Sequence, residues 1–102
     1  MRITWAPRAL SRVVEIGRYI AADRPYASRA WAIALFERAA ALGKHPRRGR
    51  RVPEAGRDEI REVMHGDYRV IYRVEPKRLV VLTVRHGRRQ WDPSEVDDEM
   101  PR

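Results

Sequence analysis

His86 and Arg69 are the residues whose types and predicted placement could carry out chemistry in this chain. His86 follows Arg85 near the end of the last predicted strand, and Arg69 lies on the strand before it. Cleavage of a phosphodiester bond without a metal needs a base, an acid and a cation that stabilises the developing negative charge. A histidine near arginines could supply such groups, although a single histidine at a strand end is more often structural. The sequence therefore leaves both a phosphodiester-cleaving role and a structural role open for His86.

Motifs for other kinds of catalysis are absent from the sequence. There is no phosphate-cradling glycine loop, no zinc-protease helix motif and no nucleophile elbow. The lack of cysteine excludes thiolate catalysis and cysteine-ligated zinc, and the three histidines are too dispersed for a local ligand pair. Neither a signal peptide nor an apolar run long enough to span a membrane is visible. We therefore expect a cytoplasmic protein without a metal or another cofactor.

Length and charge indicate a single small, basic domain. The chain has 102 residues, and 22 Lys and Arg against 14 Asp and Glu give a net charge of +8. Residues 44–51 and 76–91 each carry five bases and no acid, whereas residues 92–102 carry five acids and one base. All but two of the bases are arginine, which suits two-pronged contact with phosphate or carboxylate. We expect one domain over 1–91, an acidic tail over 92–102 and a polyanionic partner.

Apolar periodicity predicts an N-terminal strand, two helices and a basic loop. Ile3–Trp5 is a short β-prone segment that a proline ends. Apolar residues recur at helical spacing over Pro7–Ala22, and an alanine-rich helix is predicted over Pro25–Gly43. The segment Lys44–Pro53 has no periodicity and is punctuated by proline and glycine, which predicts a loop.

Three further strands are predicted at Ile60–His65, Tyr68–Val74 and Leu79–Arg85, joined by turn sequences. They read as an antiparallel meander. We therefore expect an α+β fold, in which an N-terminal strand and a two-helix hairpin accompany an antiparallel sheet that ends in this three-stranded meander, with the hairpin packed on the sheet.

Alternation along the middle strand assigns its side chains to two faces. The face expected in the core carries Tyr68, Val70, Tyr72 and Val74. The opposite face carries Arg69 and Arg73, and Arg61 and Arg85 join them if the register allows. We expect this second face to be a cationic surface.

Several segments, taken in order, resemble the RelE/ParE superfamily, the toxins of bacterial type II toxin-antitoxin modules, which are often called plasmid stabilisation proteins. The segments are Trp5 with Pro7 and Ala9, the two predicted helices, HPRRGRRVPE at 45–54, IREVMHGDYRVIYRV at 60–74 and VLTVRHGRR at 81–89. The resemblance implies two helices packed on one face of an antiparallel sheet, which agrees with the periodicity. It also implies a cognate antitoxin, ParD-like or RelB-like, held with the toxin in a hetero-oligomer.

The resemblance implies two alternative targets. RelE-like members are ribosome-dependent messenger-RNA endonucleases, and in one such branch a middle-strand arginine and a histidine at the end of the last strand match Arg69 and His86. The carboxylate base would then be Glu54 or Glu62. ParE-like members instead poison DNA gyrase and have no known nuclease site.

The match to the ribonuclease branch is incomplete, because Gly87 stands where that branch commonly has an aromatic residue and the lysine cluster of other RelE members is absent. The long, alanine-rich helix hairpin and the loop HPRRGRRVPE at 45–54 look more ParE-like. The resemblance therefore favours a gyrase poison, with the ribosome-dependent endonuclease as the alternative. A third hypothesis, a non-toxic module whose basic face binds RNA, would be favoured by the absence of growth inhibition.

We expect the antitoxin to lie along the hairpin and the sheet, pairing its acidic side chains with arginine and filling grooves with apolar ones. The predicted contact residues are Trp31, Leu35, Arg69 and Arg85. For Trp31, burial in the core is the alternative.

Overall fold

A computed structural model of the chain describes residues 1–94, which form two helices and five strands. In chain order they are β1 (Arg2–Trp5), α1 (Pro7–Asp23), α2 (Pro25–Ala41), β2 (Arg50–Arg51), β3 (Ile60–His65), β4 (Tyr68–Val74) and β5 (Arg78–His86). The strands form one sheet in the order β1-β5-β4-β3-β2. β1 is parallel to β5, and all other neighbours are antiparallel.

The predicted fold class is confirmed, with small differences at the ends of elements. α2 ends at Ala41, two residues before the predicted Gly43, and β5 is one residue longer at each end than predicted. The predicted loop contains the short edge strand β2. From residue 95 onward, the predicted acidic tail lies outside the described residues.

The two helices form a hairpin because α1 ends at Asp23, and the non-helical backbone of Arg24 before Pro25 lets the chain reverse. Pro7 and Pro25 occupy the first helical turns, where the missing backbone N–H costs no hydrogen bond. The helices are tied side by side where the Ser28 hydroxyl donates to the Gly17 carbonyl oxygen at 2.6 Å. Within residues 1–94, neither helix has the length and apolar character of a membrane-spanning segment.

The main core lies between the hairpin and one face of the sheet. Its buried residues are Ala9, Val13, Leu35, Ala39, Leu42, Val70, Tyr72, Leu79, Val81 and Val84. The predicted core face of β4 is confirmed, since Tyr68 and Val74 also pack against this cluster. The buried Tyr72 hydroxyl accepts a hydrogen bond from Gly49 N at 3.0 Å and donates one to the Pro46 carbonyl oxygen at 2.7 Å, which fixes the basic loop against the sheet.

A second, smaller core covers the other face of the sheet. It consists of Ala6, Val52, Ile60, Ile71, Val80, Leu82 and Trp91. The expectation of a cationic surface over this whole face is therefore wrong. Ile71 and Val80 lie there among the arginines, and burying their apolar area beneath Val52 and Trp91 is favourable.

A β-bulge sets the orientation of the end of β5. Ile71 pairs with Thr83 and Tyr72 with Val81, so Leu82 is the extra residue on β5. After the bulge, Arg69 lies opposite Arg85 and Tyr68 lies opposite His86. The bulge thus decides which face of the sheet each of the last β5 side chains occupies.

Candidate functional site

Arg69 is buried on the face of the sheet that carries the second core, where it binds two carboxylates. Its Nη1 and Nη2 donate to the two oxygens of Glu54 at 2.8 Å each, and its Nε donates to Glu62 Oε1 at 2.7 Å. The Arg69 side chain is 5% exposed and that of Glu62 is 1% exposed. Arg50 closes the network through its Nε, which donates to Glu62 Oε2 at 2.6 Å. We call Glu54, Glu62 and Arg69, together with the exposed Arg50 at their edge, the buried ion cluster.

The ion pair between Glu54 and Arg69 stabilises the charged form of both residues. Hydrogen bonds from the Arg69 guanidinium lower the pKa of Glu54 from its ordinary value of 4.5 to about 2. The Glu54 carboxylate in turn raises the pKa of Arg69. Both residues of this pair are therefore charged at neutral pH, and charge-assisted, two-pronged bonds of this kind are among the strongest in proteins.

The Arg69 guanidinium has few donors left for a ligand. Besides its bonds to the two glutamates, Nη1 donates to the Arg89 carbonyl oxygen at 2.9 Å. The predicted role of Arg69 as a phosphate clamp needs an accessible guanidinium, but this side chain is enclosed and neutralised. In this structure Arg69 joins parts of the fold, and its guanidinium is not presented to a substrate or an antitoxin.

The candidate carboxylate bases, Glu54 and Glu62, are the acidic members of the same cluster. Glu54 Oε2 also accepts a hydrogen bond from Trp91 N at 3.1 Å. A carboxylate whose pKa is about 2 is a weak base at neutral pH, because efficient proton transfer requires a pKa near the working pH. The geometry therefore gives Glu54 a structural role.

His86 lies on the opposite face of the sheet from Arg69. It pairs with Tyr68 across β4 and β5, and its ring meets the edge of the Tyr68 ring at a centroid distance of 5.7 Å. Arg69 and Arg85 form the neighbouring pair, and successive side chains of a strand point to opposite faces. His86 Nδ1 is 3.2 Å from Arg88 N, which donates to it. The two residues predicted to act together are thus not brought together.

Of the residues predicted to bind an antitoxin, Leu35 is fully buried in the main core. The inner side of α2 packs against the sheet, so Leu35 presents no surface for a partner in the free chain. Trp31 is half-buried and packs edge-on against Tyr68, with ring centroids 5.5 Å apart. Arg85 is also half-buried and lines a groove described below.

Two neighbouring hollows meet at Arg88 and Arg89, just after β5. A groove of about 640 Å³ lies between α1 and the end of β5, and its wall includes Arg12, Tyr19 and Arg85. A second hollow, of about 430 Å³, lies over the buried ion cluster and includes Arg50. Arg88 and Arg89 line both. Within residues 1–94, no group of three or more histidine and acidic side chains is placed to hold a metal ion.

Sequence reasoning missed the parts that Trp91, Arg88 and Arg89 play. Trp91 is 3% exposed, although the sequence assigns it only to the border of an acidic tail. A lone large aromatic residue within a polar segment is the signal that could have indicated its burial. The two arginines lie in a basic run, and only their backbone contacts distinguish them from other surface arginines.

Comparison with known proteins places these features in a wider context. The sequence matches the family described as the ParE toxin of the type II toxin-antitoxin system parDE over residues 3–91. A Sinorhizobium fredii protein named "Putative toxin Y4kP" is 37% identical over 93 residues, which cover 88% of this chain and 92% of that protein.

Two solved structures share the fold. One is from the chromosomal ParDE toxin-antitoxin system of P. aeruginosa, with a TM-score of 0.71 and 16% identity over 84% of this chain and 95% of that one. The other is from the toxin-antitoxin complex RelBE2 of Mycobacterium tuberculosis, with a TM-score of 0.60 and 21% identity over 83% of this chain and 95% of that one.

Proposed function

Since the chain belongs to the ParE toxin family of type II toxin-antitoxin systems, we propose that it arrests growth by poisoning DNA gyrase in the cytoplasm. A cognate antitoxin, ParD-like in this proposal, holds it inactive in a hetero-oligomer. The observation that carries the proposal is the match to the ParE family over residues 3–91, nearly the whole of the described chain.

The surroundings of Arg69 and His86 support gyrase over messenger RNA as the target. Metal-free cleavage of RNA would need a cation and a proton-transferring group on the same phosphate. Arg69 is engaged by Glu54, Glu62 and a backbone carbonyl, and His86 points to the other face of the sheet. The site expected for the ribonuclease alternative is therefore not assembled from these residues in the free chain.

For the antitoxin we propose a binding surface formed by exposed apolar side chains of the two helices. Leu10 and Val14 on α1 and Ile33 and Phe36 on α2 are 39–50% exposed. Large apolar side chains exposed together are typical of protein interfaces. Of the contact residues expected from the sequence, Trp31 and Arg85 keep accessible surface and remain in this proposal, whereas Leu35 and Arg69 do not.

The target is tested by inducing the full chain in cells and labelling protein and DNA synthesis in short pulses. In parallel, the purified chain is added to gyrase in a supercoiling assay. We expect DNA synthesis to fall first, and gyrase to lose supercoiling activity and accumulate cleaved DNA. Co-expression of the cognate antitoxin should abolish both effects.

The ribonuclease alternative requires the His86 side chain for toxicity, whereas the gyrase proposal does not. If messenger RNA were the target, protein synthesis would fall first with gyrase unaffected, and His86→Ala would abolish that loss. We expect that the His86→Ala variant still depresses DNA synthesis before protein synthesis. Early loss of protein synthesis that disappears in this variant would overturn the gyrase proposal.

A further inference from the structure

The segment 87–91 is held rigidly by its backbone, although it follows the last strand of the sheet. Gly87 N donates to the Asp67 carbonyl oxygen at 2.7 Å, and Arg89 N donates to that of His86 at 3.0 Å. The Arg89 carbonyl accepts from Arg69, and Trp91 N donates to Glu54. The buried ion cluster thus fixes the path of this segment, and Trp91 anchors its end in the second core.

The side chains of Arg88 and Arg89 are exposed on this fixed backbone. Neither forms an ion pair with another described residue. Arg69 differs from them, because its guanidinium forms four hydrogen bonds to partners within the fold. A guanidinium on an ordered backbone loses less conformational freedom when it binds than one on a flexible tail.

Further arginines extend this charge in both directions. Arg12 lines the groove on the helix side, and Arg50 lines the hollow on the other side. Glu15 and Glu62 each offset part of this charge, through Arg12 at 3.1 Å and Arg50 at 2.6 Å. Glu54 is neutralised by Arg69. We call Arg12, Arg50, Arg88 and Arg89 the arginine belt, which runs around the end of β5.

We propose that the arginine belt binds the phosphodiester backbone of a nucleic acid, and that the chain makes this contact itself, without another protein. Repeated phosphates suit several arginines in a row, since each guanidinium can bind phosphate oxygens through two hydrogen bonds. Tyr19, which is 76% exposed, stands on the wall of the same groove and offers a ring on which a base can stack.

The composition of the belt favours a nucleic acid over an acidic protein segment. Protein interfaces are anchored by buried apolar and aromatic side chains. Leu10, Val14, Ile33 and Phe36 expose large apolar side chains on the two helices, whereas Arg88 and Arg89, which line both hollows of the belt, are exposed cations. The inference goes beyond the proposed function. A gyrase–DNA complex would bring such a backbone to the toxin, but the test below needs no gyrase.

The test measures fluorescence anisotropy of labelled oligonucleotides of about 12 nucleotides with the purified full chain. Single-stranded DNA, single-stranded RNA and duplex DNA are compared between about 50 and 200 mM salt. We expect binding that weakens steeply with salt. The relative affinities of the three probes identify whether DNA or RNA is the source of the phosphates.

Paired variants locate the binding surface. The double variant Arg88→Gln/Arg89→Gln should bind about tenfold or more weakly, and its plot of log affinity against log salt should be shallower by about 1 to 2. The control Arg2→Gln/Lys77→Gln removes the same charge at the other end of β5, and its affinity should stay within about twofold of the parent. Far-UV circular dichroism checks that each variant is folded. Tyr19→Ala should weaken binding of the single strands more than binding of the duplex.

Three outcomes would overturn the proposal. The first is an absence of binding to all three oligonucleotides at low salt. The second is an equal loss in the control variant, which would mean that net charge alone attracts the probe. The third is a chain that does not bind the oligonucleotides but does bind polyglutamate, with the polyglutamate binding lost in Arg88→Gln/Arg89→Gln. That result would indicate that the belt binds an acidic protein. None of these results bears on gyrase poisoning, which the supercoiling assay measures separately.

Discussion

Arg69 and Glu54 form a two-pronged ion pair with both N–O distances at 2.8 Å, although they are fifteen residues apart in the sequence. The pair joins β4 to the segment that follows β2, and Glu54 also accepts a hydrogen bond from Trp91 N. Arg69, which the sequence suggested as a phosphate-binding residue, therefore has a structural role. The first two predictions test this role.

Replacing Arg69 with Met should destabilise the fold strongly. It leaves the carboxylates of Glu54 and Glu62 without their buried cation, which typically costs about 3–5 kcal/mol. Urea unfolding followed by circular dichroism measures this loss. The control is Arg57→Met, which breaks an exposed ion pair with Glu59 and should cost less than about 1 kcal/mol. Equal effects of the two substitutions would contradict a structural role for Arg69.

The Glu54 carboxylate should make the fold sensitive to acid. Its pKa is lowered from 4.5 to about 2 in the folded chain, so its contribution to stability is complete above pH 4.5 and is lost as the pH falls toward 2. The contribution is at most about 3 kcal/mol. Glu54→Gln should therefore be less stable than the parent at neutral pH, and the difference should shrink between pH 5 and pH 2. Urea unfolding at each pH measures this difference in the free energy of unfolding. A difference that does not vary with pH would show that the Glu54 carboxylate does not cause the acid sensitivity.

Gly49 should not tolerate a side chain. A Cβ at this position would lie 2.4 Å from the Glu62 carbonyl oxygen and 2.6 Å from the Tyr72 hydroxyl, so the loop would have to move away from β3. We expect Gly49→Ala to lower the free energy of unfolding by about 1–3 kcal/mol.

The matched control for Gly49 is Gly17→Ala. Its Cβ would meet Ser28 Oγ at 3.4 Å, which is close to ordinary contact, and alanine is favoured in a helix interior. We expect stability equal to the parent or higher by up to about 1 kcal/mol. Thermal unfolding of the two variants side by side compares them, and a tolerated Gly49→Ala would contradict the close approach of loop and strand.

The antitoxin should depend on the exposed apolar side chains of the hairpin. Val14→Glu/Ile33→Glu introduces charge on both helices where the parent has 50% and 48% exposed apolar residues. We expect the affinity for the cognate antitoxin, measured by calorimetry, to fall by at least tenfold, because each charge would lose its hydration in the complex. Tyr26→Glu, at a position 93% exposed near the hairpin turn, should leave the affinity within about threefold. Unchanged binding by the double variant would exclude this surface.

The sequence could predict the elements of the fold because their signals are local. Prolines begin both helices, apolar residues recur with helical spacing in α1, and Gly66, with a φ of +58°, provides the turn between β3 and β4. The same ordered segments indicated the toxin family, which the match over residues 3–91 confirms. These features need only neighbours in the chain, so composition and spacing determine them.

What the sequence could not decide is which distant residues meet. The cationic face was expected from alternation alone, but the segment after β2 and Trp91 fold over it and supply both an apolar cover and Glu54. Under the ribonuclease alternative Arg69 and His86 would act together, but the bulge at Leu82 and the register of β4 with β5 place them on opposite faces.

The sequence by itself thus determined the helices, four of the five described strands, the family and the basic character of this chain. Only the tertiary structure decided that Arg69 is enclosed while Arg88 and Arg89 are presented to solvent. The physical reason is that burial and ion pairing depend on strand register and on the paths of loops, which the packing of the whole domain determines. An arginine has the same side chain in either place, so its type and spacing do not reveal its partners.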